Sequence, residues 1–340
     1  MTGTDPRIAE FLRGSPWEGW TRRPLAGDAS NRRYERLTGP DGQSVVLMDA
    51  DPARGEDVRP FIVIGQWLRQ NGFSAPEILA EDRSHGLLML EDLGDALFAR
   101  VVRAAPDREE SLYEAATDLL AALHRAPAPA GLPVFDPALM AQLAGLAFEW
   151  YGQDRVRPGQ SRAEGFAPAF RPLLARHAAP AGVVALRDFH AENLIWLPDR
   201  QGHARIGLLD FQDAVIGHPA YDLVSLLRDA RRDVSAPVQA RMLTRFAAAG
   251  NADPDAVAAA FAVISVQRNL RILGVFARLS MHFGKPHYVD LIPRVWGHLM
   301  TDLAHPALDP VRERILDALP APSPAHLQDL KDRCATVPTP

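Results

Sequence analysis

The chain has 340 residues, of which 47% are hydrophobic and 23% are charged, and its 37 basic and 42 acidic residues give a formal net charge of −5. This composition is typical of a folded globular protein with a sizeable core, and it excludes global disorder and a collagen-like fibre. The charge balance argues against a nucleic acid partner, and the single cysteine excludes an intrachain disulfide.

The first 92 residues are predicted to form a small lobe built on an antiparallel sheet. A helix is expected over residues 58–71, because Asp57 can cap its start and Gly72 can end it. Short runs of β-type residues alternate with turn sequences such as Gly-Pro-Asp-Gly. These runs predict strands at 33–38, 44–50, 78–81 and 86–90.

Residues 93–319 are predicted to form a larger, mainly helical lobe, and residues 320–340 a loosely ordered, proline-rich tail. Apolar residues at helical spacing predict helices at 110–124, 138–150, 255–278 and 288–303. Short apolar runs predict strands at 183–186, 194–197 and 206–209, the last two joined by a turn. We therefore expect an α+β fold of two lobes.

The N-terminal sequence gives no sign of export. The first twenty residues carry several charges and no apolar stretch long enough for a signal peptide. The strongest apolar run, residues 256–266, is far shorter than the roughly 20 residues of a membrane span, so it indicates a buried helix. We expect a cytoplasmic protein with no membrane partner.

The most informative stretch is Arg-Asp-Phe-His-Ala-Glu-Asn, residues 187–193, followed after two predicted strands by Asp-Phe-Gln-Asp, residues 210–213. A hairpin brings Asn193 and Asp210 close together, and their oxygens suit Mg²⁺ with bound phosphates. Asp188 can then accept a hydroxyl proton, as phosphoryl transfer requires. Each piece alone is weak, since an isolated Asp188 is more often a loop residue than a base. The ordered set is far more specific.

This order of motifs resembles the aminoglycoside phosphotransferase family, which has the protein-kinase-like fold with ATP as phosphoryl donor. The resemblance implies that Asp188 is the catalytic aspartate and that Asn193 and Asp210 are Mg²⁺ ligands. It also implies that Asp222, in Gly-His-Pro-Ala-Tyr-Asp-Leu, braces the catalytic loop from the following helix. An equally good interpretation of Asp222 is an acid in the first helical turn, where it favours the helix dipole.

The resemblance also implies a nucleotide site in the first lobe. Residues 25–34 are similar to the family's nucleotide-covering loop, and residues 88–94 to its interlobe hinge, where backbone groups meet adenine. The expected nucleotide-binding residues are Asp28, Ser30, Asn31, Arg32, Arg33, Glu91 and Leu93. Taken without the family, the loop is also compatible with an ordinary hairpin turn.

Two residues depart from the family pattern. Kinase-like proteins carry a lysine on the third strand to pair with the nucleotide phosphates, but this chain has no lysine before Lys285 and Met48 occupies the position. Leu186 stands where a histidine usually precedes the catalytic motif. The chain is therefore either a degenerate nucleotide binder or a subgroup that neutralises phosphate with arginine, for which Arg32 and Arg33 are candidates.

The subgroup interpretation rests on further segments. Two segments resemble those of bacterial kinases of cell-wall (peptidoglycan) recycling: Val-Leu-Met-Asp-Ala at residues 46–50, without lysine, and residues 266–279. Those kinases phosphorylate the C1 hydroxyl of N-acetylmuramate and N-acetylglucosamine. This resemblance implies an ATP- and Mg²⁺-dependent sugar 1-kinase whose partners are small molecules. The runner-up is a kinase for an aminoglycoside or amino alcohol. A third alternative is a catalytically inactive, kinase-like nucleotide-binding module.

The charge distribution near the C-terminus bears on the substrate. Residues 261–300 contain five basic residues and one acidic residue, whereas a pocket for a polycationic aminoglycoside should be acidic. Two of these arginines lie at helical spacing and suit a lactyl carboxylate, although a solvated basic face explains either one as well. The candidate substrate-binding residues are His190, Glu192, Asp213, Arg271 and Arg278.

Overall fold

The computed structural model describes residues 5–25, 31–153 and 165–338. The chain divides into two compact units: unit 1 comprises residues 1–101 and 192–213, and unit 2 comprises residues 102–191 and 214–340. The sequence predicts a boundary after residue 92, and in this division a hairpin from the middle of the sequence, residues 192–213, also belongs to unit 1.

Unit 1 is built on a five-stranded sheet in which every neighbouring pair is antiparallel, in the order β1-β2-β3-β5-β4. The strands are β1 Thr21–Pro24, β2 Arg33–Thr38, β3 Ser44–Asp49, β4 Ile78–Asp82 and β5 Leu87–Glu91. The four strands expected from the sequence are present within a residue at each end. Strand β1 was not predicted, because four residues that include two arginines and a proline give no β signal.

Helix α1 Pro6–Leu12 precedes this sheet in the sequence, and helix α2 Arg59–Gln70 lies between β3 and β4. The buried residues Ile8 and Leu12 of α1 form one apolar cluster with Leu37, Leu47 and Met89 of the sheet. Helix α2 begins as predicted, since Asp57 Oδ1 accepts the Arg59 backbone N–H at 2.9 Å.

Four shorter strands form two antiparallel pairs. These are β6 Val183–Ala185 with β9 Val215–Gly217 in unit 2, and β7 Leu194–Trp196 with β8 Ile206–Leu208 in unit 1. The β7–β8 hairpin belongs to unit 1 because Ile195 bridges to Leu97 and Gly207 to Ser74. The Ser74 hydroxyl also donates to the Ala204 carbonyl at 2.7 Å. The Asp-Phe-Gln-Asp segment at residues 210–213 therefore folds with the N-terminal sheet.

Unit 2 is mainly helical. Helix α3 Phe98–Ala104 spans the boundary between the two units at residues 101 and 102. The helices that follow it in unit 2 are α4 Glu109–Leu123, α5 Pro137–Ala144, α6 Phe166–His177, α7 Ala220–Leu227, α8 Ala236–Ala249, α9 Pro254–Met281, α10 Ile292–Leu303, α11 Asp309–Ala318 and α12 Pro324–Asp332. The helix expected over 138–150 ends at Ala144 and is followed by a π-helical turn at Ala147–Tyr151.

Helix α9 is the central element of unit 2. It has 28 residues and includes the apolar run at 256–266, which is buried as expected from the sequence. Within the described residues it is the one helix long and apolar enough to cross a membrane, and 78% of its most apolar stretch is buried inside the protein. These buried residues make α9 a core helix of unit 2.

The C-terminal segment differs from the expected loose tail. Helix α12 begins at Pro324, and the Ser323 hydroxyl accepts the His326 N–H at 3.3 Å, so proline at the first turn starts a helix here. Leu330 is fully buried, and its carbonyl accepts the Ser280 hydroxyl at 2.9 Å. The segment is therefore packed onto α9.

Candidate active site

The segment that carries Asp188 is held in unit 2 by a single carboxylate. Asp222, in the first turn of α7, accepts the Leu186 backbone N–H at 2.7 Å through Oδ2 and the Arg187 N–H at 2.8 Å through Oδ1. Because Asp222 is 1% exposed, these two bonds replace its hydration almost completely. They fix the backbone immediately before Asp188.

The backbone of this loop has an unusual conformation. Arg187 has φ of 73°, in the left-handed region that side chains other than glycine seldom adopt. Its guanidinium lies 5.4 Å from the centre of the Phe135 ring, and the His190 N–H donates to the Asp188 carbonyl at 3.1 Å. Strained backbone of this kind persists where its surroundings hold it, as Asp222 does here.

Burial raises the pKa of Asp222 to about 6, and the two N–H donors act in the opposite direction. The nearby Asp188 charge also raises this pKa, whereas Arg268 lowers it. The carboxylate that holds the loop is thus in electrostatic contact with the proposed base. Leu186, in place of the usual histidine, is buried in the apolar interior.

Asn193 and Asp210 lie at the same end of the β7–β8 hairpin in unit 1. Leu194 pairs with Leu208, and the Leu209 N–H donates to the Asn193 carbonyl at 3.0 Å. Antiparallel pairing therefore places Asn193, just before β7, near Asp210, two residues after β8, as the sequence predicts.

The surroundings of Asp210 fix its position. Asp210 has φ of 55°, and its Oδ1 accepts Gln212 Nε2 at 2.7 Å. The next residue, Phe211, is fully buried and stacks on Phe61 of α2 at 4.7 Å between ring centres. A methyl group at Gly65 would lie 3.3 Å from the Phe211 ring. Glycine in α2 thus permits the close packing that positions Asp210.

The donor set at this end of the hairpin fits Mg²⁺. Among the described residues no three His, Cys, Asp or Glu side chains form a metal cluster, so a metal held by protein alone is not supported. Mg²⁺ instead binds one or two protein oxygens together with phosphates and water, which suits Asn193 and Asp210. Gln212 Oε1, beside Asp210, is buried and hydrogen-bonds to none of the described residues.

Arg32 is the basic residue of unit 1 that lies nearest this acidic end. Its Nε is 3.0 Å from Glu56 Oε2, and its Nη1 is 3.8 Å from Asp210 Oδ1. The Arg32 side chain is 11% exposed. Burial and the Asp210 charge raise the pKa of the neighbouring Tyr34 to about 12. Arg32 is therefore held beside the proposed metal ligand.

The other nucleotide-binding candidates differ in their positions. Arg33 is exposed and its Nη2 lies 3.5 Å from Asp49, while the Asn31 N–H donates to Glu56 at 3.1 Å. Asp28 and Ser30 lie outside the described residues. Met48, at the usual lysine position, is completely buried in the sheet. Of the two arginines considered as substitutes for lysine, Arg32 is the one beside Asp210.

The hinge candidates are Glu91 and Leu93. The Glu91 N–H donates to the Glu77 carbonyl at 2.8 Å, so adenine recognition at Glu91 is limited to its carbonyl. The Glu91 carboxylate pairs with Arg200, in the loop of the β7–β8 hairpin, at 2.5 Å. Leu93 is buried, and its side chain packs 2.9 Å from where a methyl group at Gly207 would lie.

The five substrate candidates are not brought together by the described contacts. Two of them belong to unit 1: Glu192 is half-buried and Asp213 is exposed. In unit 2, His190 is buried beside Arg231, with Nη1 and Nε2 3.4 Å apart. The remaining two, Arg271 and Arg278, are half-buried on α9. The Arg278 guanidinium lies 5.9 Å from the centre of the exposed Phe283 ring.

Several residues that build these sites were not found from the sequence. Glu56 lies 24 positions from Arg32 and belongs to no recognisable motif. Arg268 and Asp229 are buried charges beside the catalytic loop, and their type and spacing alone are typical of exposed residues. The only available signal was that Arg268 interrupts the apolar sequence of α9.

Three comparisons with known proteins bear on this geometry. The model of the phosphotransferase enzyme family matches residues 21–260. A protein of Caulobacter vibrioides named N-acetylmuramate/N-acetylglucosamine kinase is 40% identical over 88% of this chain and 92% of its own. A protein of the same name from Pseudomonas putida is 33% identical over 87% and 88%. A crystal structure of a choline/ethanolamine kinase family protein from Mesorhizobium loti has a TM-score of 0.56 at 15% identity, covering 97% of this chain and 96% of that chain.

Proposed function

Because the chain belongs to the phosphotransferase enzyme family, we propose that it transfers the γ-phosphoryl group of ATP to the anomeric hydroxyl of an N-acetylated amino sugar. The resemblance to aminoglycoside phosphotransferases and the α+β fold expected from the sequence are both confirmed. The single observation that carries the substrate class is the 40% identity, over nine-tenths of its length, to a relative named for N-acetylmuramate and N-acetylglucosamine.

In this proposal Asp188 accepts the proton of the acceptor hydroxyl. A carboxylate on a loop held by two backbone hydrogen bonds to Asp222 has few alternative positions, which favours an oriented base. The anomeric hydroxyl is more acidic than the ring alcohols, so a carboxylate base suits it.

Asn193 and Asp210 are proposed as the Mg²⁺ ligands, and Arg32 as the cation that lies against the phosphates in place of the missing lysine. When bound, ATP supplies the phosphoryl group and Mg²⁺ neutralises charge on its phosphates. Glu56 holds Arg32 by an ion pair at 3.0 Å, so that the guanidinium stays beside Asp210. The Glu91 carbonyl and the backbone at Leu93 are proposed to meet adenine.

All five substrate contacts expected from the sequence are kept in this proposal. His190 is buried two residues from Asp188, so we propose that it shapes the acceptor site. Arg271 and Arg278 are proposed to meet the carboxylate of an N-acetylmuramate, a group that guanidinium binds with two parallel hydrogen bonds. Glu192 and Asp213 are proposed to accept hydrogen bonds from sugar hydroxyls. We place the reaction in the cytoplasm as one step of peptidoglycan recycling.

The second candidate, a kinase for an aminoglycoside or amino alcohol, is favoured only by the shared fold with the choline/ethanolamine kinase family protein. The basic surplus on residues 261–300 argues against a polycationic substrate. The third, an inactive nucleotide-binding module, was suggested by the missing lysine. The position of Arg32 beside Asp210 supports an active enzyme instead.

The test is ADP release by the full chain with Mg²⁺ and ATP, measured separately with N-acetylmuramate, N-acetylglucosamine, kanamycin and choline. The Asp188→Asn variant serves as the background control. We expect ADP release with the N-acetylated sugars alone. Turnover of kanamycin or choline without the sugars would replace the proposal with the second candidate. A nucleotide-dependent thermal shift without turnover of any of the four would replace it with the third.

A further inference from the structure

We infer that Arg268 is a positioning residue for the catalytic loop: anchored on Ser225, one helical turn after Asp222 in α7, it holds a buried positive charge near the carboxylate that binds the loop. This inference rests on the proposed role of Asp188 as base. It concerns a residue of α9 to which neither the sequence motifs nor the proposed function assigns a role.

Arg268 is an unusual buried cation. It is 5% exposed, and its Nη2 donates to the Ser225 hydroxyl of α7 at 2.8 Å. Its Nη1 is also buried and hydrogen-bonds to none of the described residues. Taking a guanidinium out of water costs several kcal/mol unless other charges compensate. A single neutral hydroxyl does not do so, and the compensation has to come from charges at longer range.

Those charges are the carboxylates of the catalytic region. Burial lowers the pKa of Arg268, and the acidic groups Tyr221, Asp188 and Asp229 act in the opposite direction. The effect is reciprocal, because Arg268 also lowers the pKa of Asp222. In a low-dielectric interior such interactions act over longer distances than in water. Arg268 thus interacts electrostatically with several acidic groups at once.

The surroundings show that this region is rich in buried polar groups with few partners. Asp229 is 1% exposed; its Oδ1 accepts the Arg231 N–H at 2.8 Å, while its Oδ2 hydrogen-bonds to none of the described residues. The Tyr221 hydroxyl is likewise buried without such a partner. The titratable and charged groups that face the cluster come from the catalytic loop, from α7 and the segment after it, and from α9. They are Asp188, His190, Tyr221, Asp222, Asp229, Arg231 and Arg271.

The consequence for the reaction follows from Asp222. The carboxylate accepts both loop N–H groups only when it is ionised, since a protonated carboxyl replaces one acceptor site with a donor. Arg268 favours the ionised form. Without Arg268 the loop would lose its second backbone hydrogen bond at a higher pH, and Asp188 would lose its orientation there.

The test compares three variants at position 268 and its anchor with a remote control. Arg268→Met removes the charge and keeps the length, Arg268→Lys keeps the charge, and Ser225→Ala removes the anchor. Arg245→Met is the matched control: it makes the same exchange on α8, where Arg245 pairs with Asp118 at 2.7 Å. For each, kcat is measured from pH 5 to 8, and the free energy of unfolding by denaturant over the same range.

We expect Arg268→Met to move the acidic limb of the kcat profile to higher pH by about one unit. Arg268→Lys should restore the wild-type limb, Ser225→Ala should move it partly, and Arg245→Met should leave it unchanged. The inference would be overturned if the acidic limb of the kcat profile did not move in folded Arg268→Met, or if it moved equally far in Arg268→Lys. Either result would leave Arg268 a packing residue.

The unfolding measurement separates this inference from the proposed function. Removing the cation raises the native-state pKa of Asp222, so the native state of Arg268→Met holds this proton to higher pH than the wild type does. Its stability should therefore fall further below that of the wild type as pH rises from 5 to 7. This loss is expected even if no sugar is phosphorylated. A stability difference independent of pH would contradict the inference whatever the substrate.

Discussion

Arg32 and Asp210 lie side by side in unit 1, with Nη1 of the arginine 3.8 Å from Oδ1 of the aspartate, and Glu56 holds the arginine from its other side at 3.0 Å. Arginine can bind phosphate through two parallel hydrogen bonds, so we propose Arg32 as the substitute for the missing lysine. Arg32 and the Glu56 that holds it both lie away from the usual lysine position in the sequence. That position is occupied by Met48, which is buried in the apolar core.

Arg32→Ala should raise the KM for ATP at least about tenfold, because a charge-assisted hydrogen bond to phosphate is lost. The KM for the sugar should change much less. Arg33→Ala is the matched control, since Arg33 is exposed and lies 3.5 Å from Asp49. Steady-state kinetics with each substrate varied in turn make the comparison. Equal effects of the two substitutions, or a larger effect on the sugar KM, would argue against Arg32 as the phosphate ligand.

Asp210→Ala should abolish Mg²⁺-dependent ATP binding, because it removes the only carboxylate of the two proposed Mg²⁺ ligands. Isothermal titration calorimetry with ATP, in the presence and absence of Mg²⁺, measures this directly. Asp199→Ala, an exposed residue in the loop of the same hairpin, is the control and should bind as the wild type. If Asp210→Ala kept the wild-type affinity for Mg-ATP, the metal site would be elsewhere.

Asp188→Asn should lower kcat by roughly 10²–10⁴ with little change in ATP affinity, because the amide cannot accept the hydroxyl proton. Circular dichroism and thermal denaturation of the variant show whether the fold is intact. Turnover near the wild-type rate would remove Asp188 from the mechanism.

The ionisation of Asp222 gives a stability prediction with a defined sign. Folding raises its pKa from 3.8 to about 6, so between these values the native state binds more protons than the unfolded chain. The wild type should therefore lose stability relative to Asp222→Asn as pH rises from 4 to 6, by on the order of 3 kcal/mol, and the difference should be constant above pH 7.

Urea denaturation of both proteins at pH 4.5, 5.5, 6.5 and 7.5 checks this prediction. The kcat of Asp222→Asn should be reduced at every pH, since an amide has one acceptor oxygen for two backbone donors. A difference in unfolding free energy that does not vary with pH would show that Asp222 is ionised in both states.

The parts of the fold and site that could be predicted from sequence are those set by local pattern. Strands β2 to β5 and the β7–β8 hairpin follow from apolar runs separated by turn residues, and the hairpin in turn places Asn193 near Asp210. Family resemblance singled out Asp222, but the two N–H groups that its carboxylate accepts are 35 and 36 residues away. That contact depends on tertiary packing.

The remaining features depend on contacts between distant segments or on a misleading composition. The hairpin joins unit 1 through Ser74 and Leu97, which carry no motif. The proline-rich C-terminal sequence suggested a loose tail, yet Pro324 occupies the first turn of α12, where its missing N–H is no cost. The burial of Arg268 was not predicted, because it follows from the packing of α9 against α7, where Arg268 donates to Ser225.

The central claim is that the anomeric hydroxyl receives the phosphoryl group, and the most direct measurement compares N-acetylglucosamine with its methyl glycoside. The glycoside keeps the acetamido group and every other hydroxyl but has no hydroxyl at C1. With the full chain, Mg²⁺ and ATP, the account predicts that N-acetylglucosamine is phosphorylated, that the product loses its reducing-sugar response, and that the methyl glycoside is not a substrate. Comparable turnover of the glycoside, or a product that still reduces, would contradict it.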